Sequence, residues 1–116
     1  MHEVGIANSI IETILQTMKE KGYARVTTIG LRIGALTDLV PDALEFGFEV
    51  MTRGTPLADA RLAIEAVPVH GECRSCGKTF DVDQFIFVCP HCSGRDIRMT
   101  SGDELEIAYI EVDDEV

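Results

Sequence analysis

The chain has no tryptophan, and aromatic residues are only 6% of its 116 positions, so any core it builds is mainly aliphatic. Basic residues are also scarce: ten Lys and Arg stand against twenty Asp and Glu, a net charge of −10. A nucleic-acid reader presents a basic stripe to phosphate, and this composition argues against one. Even beside the cysteines, Arg74, Lys78, Arg95 and Arg98 are offset by Glu72, Asp81, Asp83 and Asp96. Such acidity suits metal cations or a basic protein partner, although it also serves solubility alone. No apolar run is long enough to span a bilayer. The opening residues lack a basic region followed by an apolar one, so no secretory signal is read there. No Ser/His/Asp or Cys/His constellation is visible, so neither catalytic nor cofactor-binding residues are expected.

Cysteine is absent everywhere except in one stretch. There Cys73 and Cys76 form one C-x-x-C pair, twelve residues follow, and Cys89 and Cys92 form a second. Each pair supplies two thiolates from one tight turn, and two such turns can face each other across one ion. Tetrahedral sulfur coordination suits zinc. Two structural disulfides or a redox C-x-x-C are the competing readings. The absent secretory signal and the hairpin-length spacing favour zinc. Four thiolates close the coordination sphere, so such a site is structural and not catalytic. Thiolates held on zinc need a reducing compartment, which points to the cytoplasm.

Hydrophobic residues make up 46% of the chain, enough for one compact core and a small satellite. Residues 4–21 read as a first helix, with Ile6, Ile10, Ile14 and Met18 at helical spacing and Ala7, Ile11 and Leu15 widening the stripe. Gly22 is a suitable residue to end it. Residues 25–34 read as a strand in which Ile29, Leu31 and Ile33 alternate with Thr28, Gly30 and Arg32. Pro41 opens a second helix reaching about Arg53, with Leu44, Phe48 and Met51 on one face, Phe46 and Val50 on another, and Gly47 allowing close packing. Strands are expected at 61–69 and 104–112. The fold class is α+β, of an α/β sandwich-like kind: two helices on a small mixed sheet, with an inserted four-cysteine zinc-ribbon subdomain. Residues 1–70, completed by 102–116, form the first domain, and 71–101 the ribbon.

The opening Met1-His2-Glu3 is the other stretch with metal chemistry. A histidine at position two can chelate together with the chain's own amine. Amine, His2 amide and His2 imidazole close two fused rings and present three nitrogens in a plane. Planar nitrogen sets select Ni(II) or Cu(II). A fourth ligand could come from Glu3 or from elsewhere. On its spacing alone the signal is weak, because a terminal histidine is commonly a solvated side chain.

Several stretches taken in order resemble the HypA/HybF family of hydrogenase-maturation nickel chaperones. They are Met1-His2-Glu3; Leu31 to Gly34 followed by Pro41, Leu44, Phe46, Phe48 and Glu49; the two C-x-x-C pairs; and Gly102 to Leu105. The resemblance covers nearly the whole chain. It implies a nickel site with His2 as the main ligand, the Met1 amine beside it and Glu3 in support. It implies a structural zinc held by Cys73, Cys76, Cys89 and Cys92 that can sense the nickel state. It also implies delivery of Ni(II), with the GTPase HypB, to the large subunit of [NiFe] hydrogenase; some members of the family also serve urease. Monomer and homodimer both remain open. One position departs from the family pattern: Ser93, not glycine, follows the last cysteine. A serine there is expected to adopt a positive φ only with strain. His91 is read as an exposed knuckle residue and His70 as a strand-end residue. The competing functions are a zinc-ribbon adaptor that only binds protein, and a small metalloenzyme using the His2 metal as a Lewis acid.

Overall fold

The computed structural model describes residues 2–113, and side chains from Glu3 onward. The element order is α1 (His2–Lys21), β1 (Val26–Gly34), a 3-10 turn (Ala35–Thr37), α2 (Pro41–Met51), β2 (Arg61–Val67), β3 (His70–Cys73), β4 (Thr79–Asp81), β5 (Ile97–Ser101) and β6 (Leu105–Val112). Two three-stranded sheets form, in orders β2-β1-β6 and β4-β3-β5. The class is α+β, with two helices and small sheets. Among the described residues no helix is long and apolar enough to cross a membrane. The Cα positions divide into two units. One holds the residues up to Leu31, Leu39–Glu65 and those from Glu106; the other holds Arg32–Asp38 and Ala66–Leu105. The second unit therefore reaches beyond the 71–101 segment expected for the ribbon.

In the first unit, α1 begins two residues earlier than its apolar stripe indicates, so His2 and Glu3 lie in its first turn. The stripe is buried at Ala7, Ile10, Ile11, Ile14 and Met18, while its members Ile6 and Leu15 are half-buried. Gly22 ends the helix at φ 73°, and the Tyr23 N–H donates to the Met18 carbonyl at 3.0 Å, which satisfies a carbonyl the last turn would otherwise orphan. Pro41 stands at the start of α2. The helix stops at Met51, short of Arg53, where the buried Thr52 hydroxyl donates back to the Phe48 carbonyl at 2.8 Å. Leu44, Gly47 and Phe48 are its buried residues, while Phe46 is 67% exposed. Gly47 faces Ala7 of α1.

The alternation expected of β1 does not hold. Thr28 and Gly30, assigned by pattern to a polar face, are buried together with Ile29, Leu31 and Ile33. The reason is position: β1 is the central strand, and the Tyr109 ring of β6 lies over Gly30, where no side chain interferes. A central strand covered on both faces reads as nearly continuous burial.

In the second unit, β3 pairs antiparallel with β4 and with β5, and the β3–β5 register shifts between His70 and Gly71. Gly34 meets the Gly102 backbone so closely that a Cβ on Gly34 would collide with the Gly102 carbonyl. Two backbone bonds hold this approach: Gly34 N–H to the Glu104 carbonyl and Leu36 N–H to the Gly102 carbonyl, both 2.8 Å. The Glu104 carboxylate accepts the Gly102 N–H at 2.8 Å. The apolar run at residues 84–88 forms no strand. Gln84 and Phe85 take left-handed φ of 53° and 59°, which leaves Phe85 and Ile86 exposed.

Two glycines should answer oppositely to alanine. A Cβ at Gly47 would stand 3.9 Å from the Ala7 Cβ, an ordinary contact, so Gly47→Ala should raise stability by about 1 kcal/mol through helix propensity. Gly34→Ala should cost about 1–3 kcal/mol by overpacking. Urea unfolding of both variants checks this. The Glu104 carboxyl is held below its ordinary range by its own N–H and that of Gly102, with Arg32 adding to the effect. Its contribution to stability is therefore complete above the ordinary Glu value and is lost as pH falls through the lowered one. The Gly102 amide proton resonance should titrate at that lower pH.

Candidate metal centre

The four cysteines come together in the second unit, their sulfurs all within 4.8 Å of one another. Cys73 and Cys92 Sγ are 3.6 Å apart, as are Cys76 and Cys89 Sγ. A tetrahedral ion with metal–sulfur bonds of about 2.3 Å would set its sulfurs about 3.8 Å apart, so the cluster already has the required size. The two knuckles repeat one geometry. Gly77 N–H donates to the Cys73 carbonyl at 2.8 Å, and Ser93 N–H to the Cys89 carbonyl at 2.9 Å. Cys73 N–H donates to the Lys78 carbonyl, and Cys89 N–H to the Gly94 carbonyl. Gly77 and Ser93 occupy equivalent left-handed positions, at φ 78° and 64°. Ser93 thus adopts the conformation that favours glycine.

Cys73 and Cys89 are buried, while Cys76 and Cys92 are exposed. The backbone N–H groups of Cys76 and Ser75, with the Cys92 thiol, bring Cys73 down to about 7. At Cys92 the Gly94 N–H favours ionisation, but Cys73, burial and the other thiols outweigh it and push the group up to about 12. Four crowded sulfurs therefore do not all ionise unaided; a shared cation lets each become a thiolate. This donor set fits a soft, four-coordinate metal and leaves no open position for a substrate. Gly94 belongs to the site although no spacing rule singled it out. A Cβ there would stand 3.1 Å from Cys92 Sγ and 3.4 Å from Cys73 Sγ, so the chain passes the sulfurs at close range.

The remaining histidines stand apart from the sulfur cluster. His91 is exposed, and its backbone N–H points at Cys89 Sγ at 3.4 Å. His70 opens β3, opposite Asp81 of β4, with Nε2 3.4 Å from the Asp81 carboxylate.

At the other end of the chain, Met1 and the His2 side chain lie outside the described residues, as does the acidic tail from Asp114. Glu3 is described. Its Oε2 accepts the Val40 N–H at 3.0 Å, and this bond, with the Glu3 N–H, holds the carboxyl below its ordinary range. Val40 was not legible as a site residue, because it contributes a backbone donor thirty-seven positions away. Beside Glu3 an open groove of about 460 Å³ is lined by Val4, Ala43, Phe46, Val50 and Met51.

Metal removal should act on the ribbon alone. Cys76→Ser should release the ion and leave the amides of residues 84–98 in fast exchange while α1 and α2 stay protected, since a structural ion in a small ribbon contributes roughly 10–16 kcal/mol of apparent binding energy. Ser93→Gly should relieve about 1 kcal/mol of left-handed strain, read as a higher chelator concentration needed to strip the metal.

Comparison with known proteins places the geometry in a family. Residues 1–112 match the family described as hydrogenase/urease nickel incorporation, metallochaperone, hypA. A hydrogenase maturation factor HypA from Geobacter metallireducens is 46% identical over 113 residues, covering 97% of this chain and all of that protein. One from Roseiflexus is 41% identical over 116 residues, covering 99% and 94%. Among solved structures, a solution structure of HypA protein superposes with a TM-score of 0.75 at 23% identity, covering 99% of this chain and 98% of that one. The Ni metallochaperone HypA from Helicobacter pylori does so with 0.65 at 21%, covering 95% and 96%. The chain belongs to the HypA family of hydrogenase maturation factors, which are metallochaperones and not enzymes.

Proposed function

We propose that this protein takes up Ni(II) at its N-terminus and hands it on during maturation of a [NiFe] hydrogenase, with zinc on Cys73, Cys76, Cys89 and Cys92 as a structural ion. The observation that carries this reading is the family match, which runs from the Met-His-Glu opening through both cysteine pairs. The ligands are the Met1 amine and His2, through its amide and imidazole; Glu3 supports that set from the next position. Helix geometry favours such a set. Amides in the first turn of a helix have no intrahelical acceptor, and α1 begins at His2. The His2 amide can therefore lose its proton to a metal without breaking a helical bond. A site at a chain end also exposes its ion to a receiving protein, as transfer requires. The partners are the GTPase HypB and the hydrogenase large subunit, and the reducing cytoplasm keeps the ribbon thiolates available to zinc.

The test is Ni(II) titration of the untagged protein beside His2→Ala, with zinc content measured in both. His2→Ala should lose nickel and keep zinc. Nickel affinity should also fall steeply from about pH 7.5 to 6.0, where an amine of pKa about 7.7–8.0 and an imidazole of about 6.5 gain protons. Equal affinity at both pH values would remove the amine from the ligand set. No nickel binding in either protein would favour a zinc-ribbon adaptor, and nickel binding indifferent to His2 would move the site away from the N-terminus.

A further inference from the structure

The contact between Glu3 and Val40 gives the carboxylate work that needs no metal. Glu3 lies in the first turn of α1, and Val40 is the residue immediately before α2. Val40 is extended, at φ −95° and ψ 112°, and its side chain makes no capping bond. Its N–H points out of the helix entry and is accepted by Glu3 Oε2 at 3.0 Å. Ala7, four residues after Glu3 and so on the same face of α1, packs toward Gly47 of α2. The carboxylate therefore continues the line along which the two helices meet, and closes it at the end where α1 starts.

Chain ends fray unless something ties them down. If a metal is to be held by the first residues of a helix, those residues must stand still, or each binding event must order them first. Resting on the nickel reading above, we propose that Glu3 is a positioning residue. Its carboxylate ties the first turn of α1 to the entry of α2 through the Val40 N–H, and thereby presets the N-terminal nickel donors without itself ligating the ion.

Three substitutions separate this role from ligation. Glu3→Ala removes the acceptor. Glu3→Gln keeps a carbonyl oxygen at the same reach but no carboxylate. Val40→Pro deletes the donor and leaves Glu3 intact; the observed φ of −95° is near the proline range, and the Val40 carbonyl still accepts from the Leu44 N–H. Each is measured by Ni(II) titration at pH 7.5, by thermal melting to verify folding, and by amide exchange in the metal-free protein. The Val40 amide is read in wild type and the Glu3 variants, and the first-turn amides of α1 in all four proteins.

Glu3→Ala and Val40→Pro should each weaken nickel about tenfold, the scale of ordering about one further residue at each binding event. Both should speed exchange in the first turn of α1. Glu3→Gln should stay within about threefold of wild type for nickel and keep the Val40 amide protected. If Glu3→Gln loses nickel as fully as Glu3→Ala while the Val40 amide stays protected, the carboxylate is a ligand and the proposal fails. Wild-type affinity in Val40→Pro overturns it equally. Failure of the nickel reading would look different: His2→Ala would bind nickel as wild type does, while the Val40 exchange pattern across the Glu3 variants would still report the tie between the helices.

Discussion

Four sulfurs gathered within 4.8 Å repel one another once they ionise, and a shared cation turns that repulsion into the cohesion of the second unit. The strands there are three to five residues long, and few of their side chains are buried. So little apolar area cannot order such a segment by itself. The surrounding details answer to the sulfurs. Backbone N–H groups of both knuckles aim inward, Gly94 has no Cβ to obstruct the cluster, and Ser93 accepts a left-handed backbone to complete the second turn. The one position that departs from the family pattern leaves the turn conformation as glycine would have it, at a cost in local strain.

The first unit rests on different physics. Its core is aliphatic, built from Ile29, Leu31, Leu44 and Leu57 with the buried stripe of α1, and it needs no ion. In the proposed reading the two metals are held differently. Zinc sits in a closed set of four thiolates and exchanges slowly, while nickel sits at a chain end, where a receiving protein can reach it.

The metal ribbon was legible in the sequence because its chemistry is local: each C-x-x-C turn brings two sulfurs together within four residues, and only the meeting of the two turns is long-range. The helices were legible for a related reason. A stripe such as Ile10, Ile14 and Met18 reports burial along one element, Pro41 marks a start, and Gly22 supplies the positive φ that ends a helix. Boundaries were less so. The start of α1 at His2 follows from no apolar residue, and α2 stops at Met51, short of the Arg53 that its pattern suggested.

What the sequence determined by itself, then, was the inventory: two amphipathic helices, apolar strands, four thiolates at ribbon spacing and the opening Met1-His2-Glu3 as candidate metal donors. Tertiary structure alone decided which of these meet. Thr28 and Gly30 belong to an alternating pattern, yet both are buried, because β1 is central and Tyr109 covers Gly30 from a strand nearly eighty residues away. Gly34 and Gly102 each look like an ordinary turn residue until their backbones touch. Glu3 reads as a candidate ligand beside His2, and its bond to Val40 is invisible in any local window. The physical reason is common to all three. Periodicity and spacing encode what a residue does within its own element, whereas a contact across tens of residues depends on how the elements pack, and a backbone donor such as Val40 N–H carries no residue-type signature.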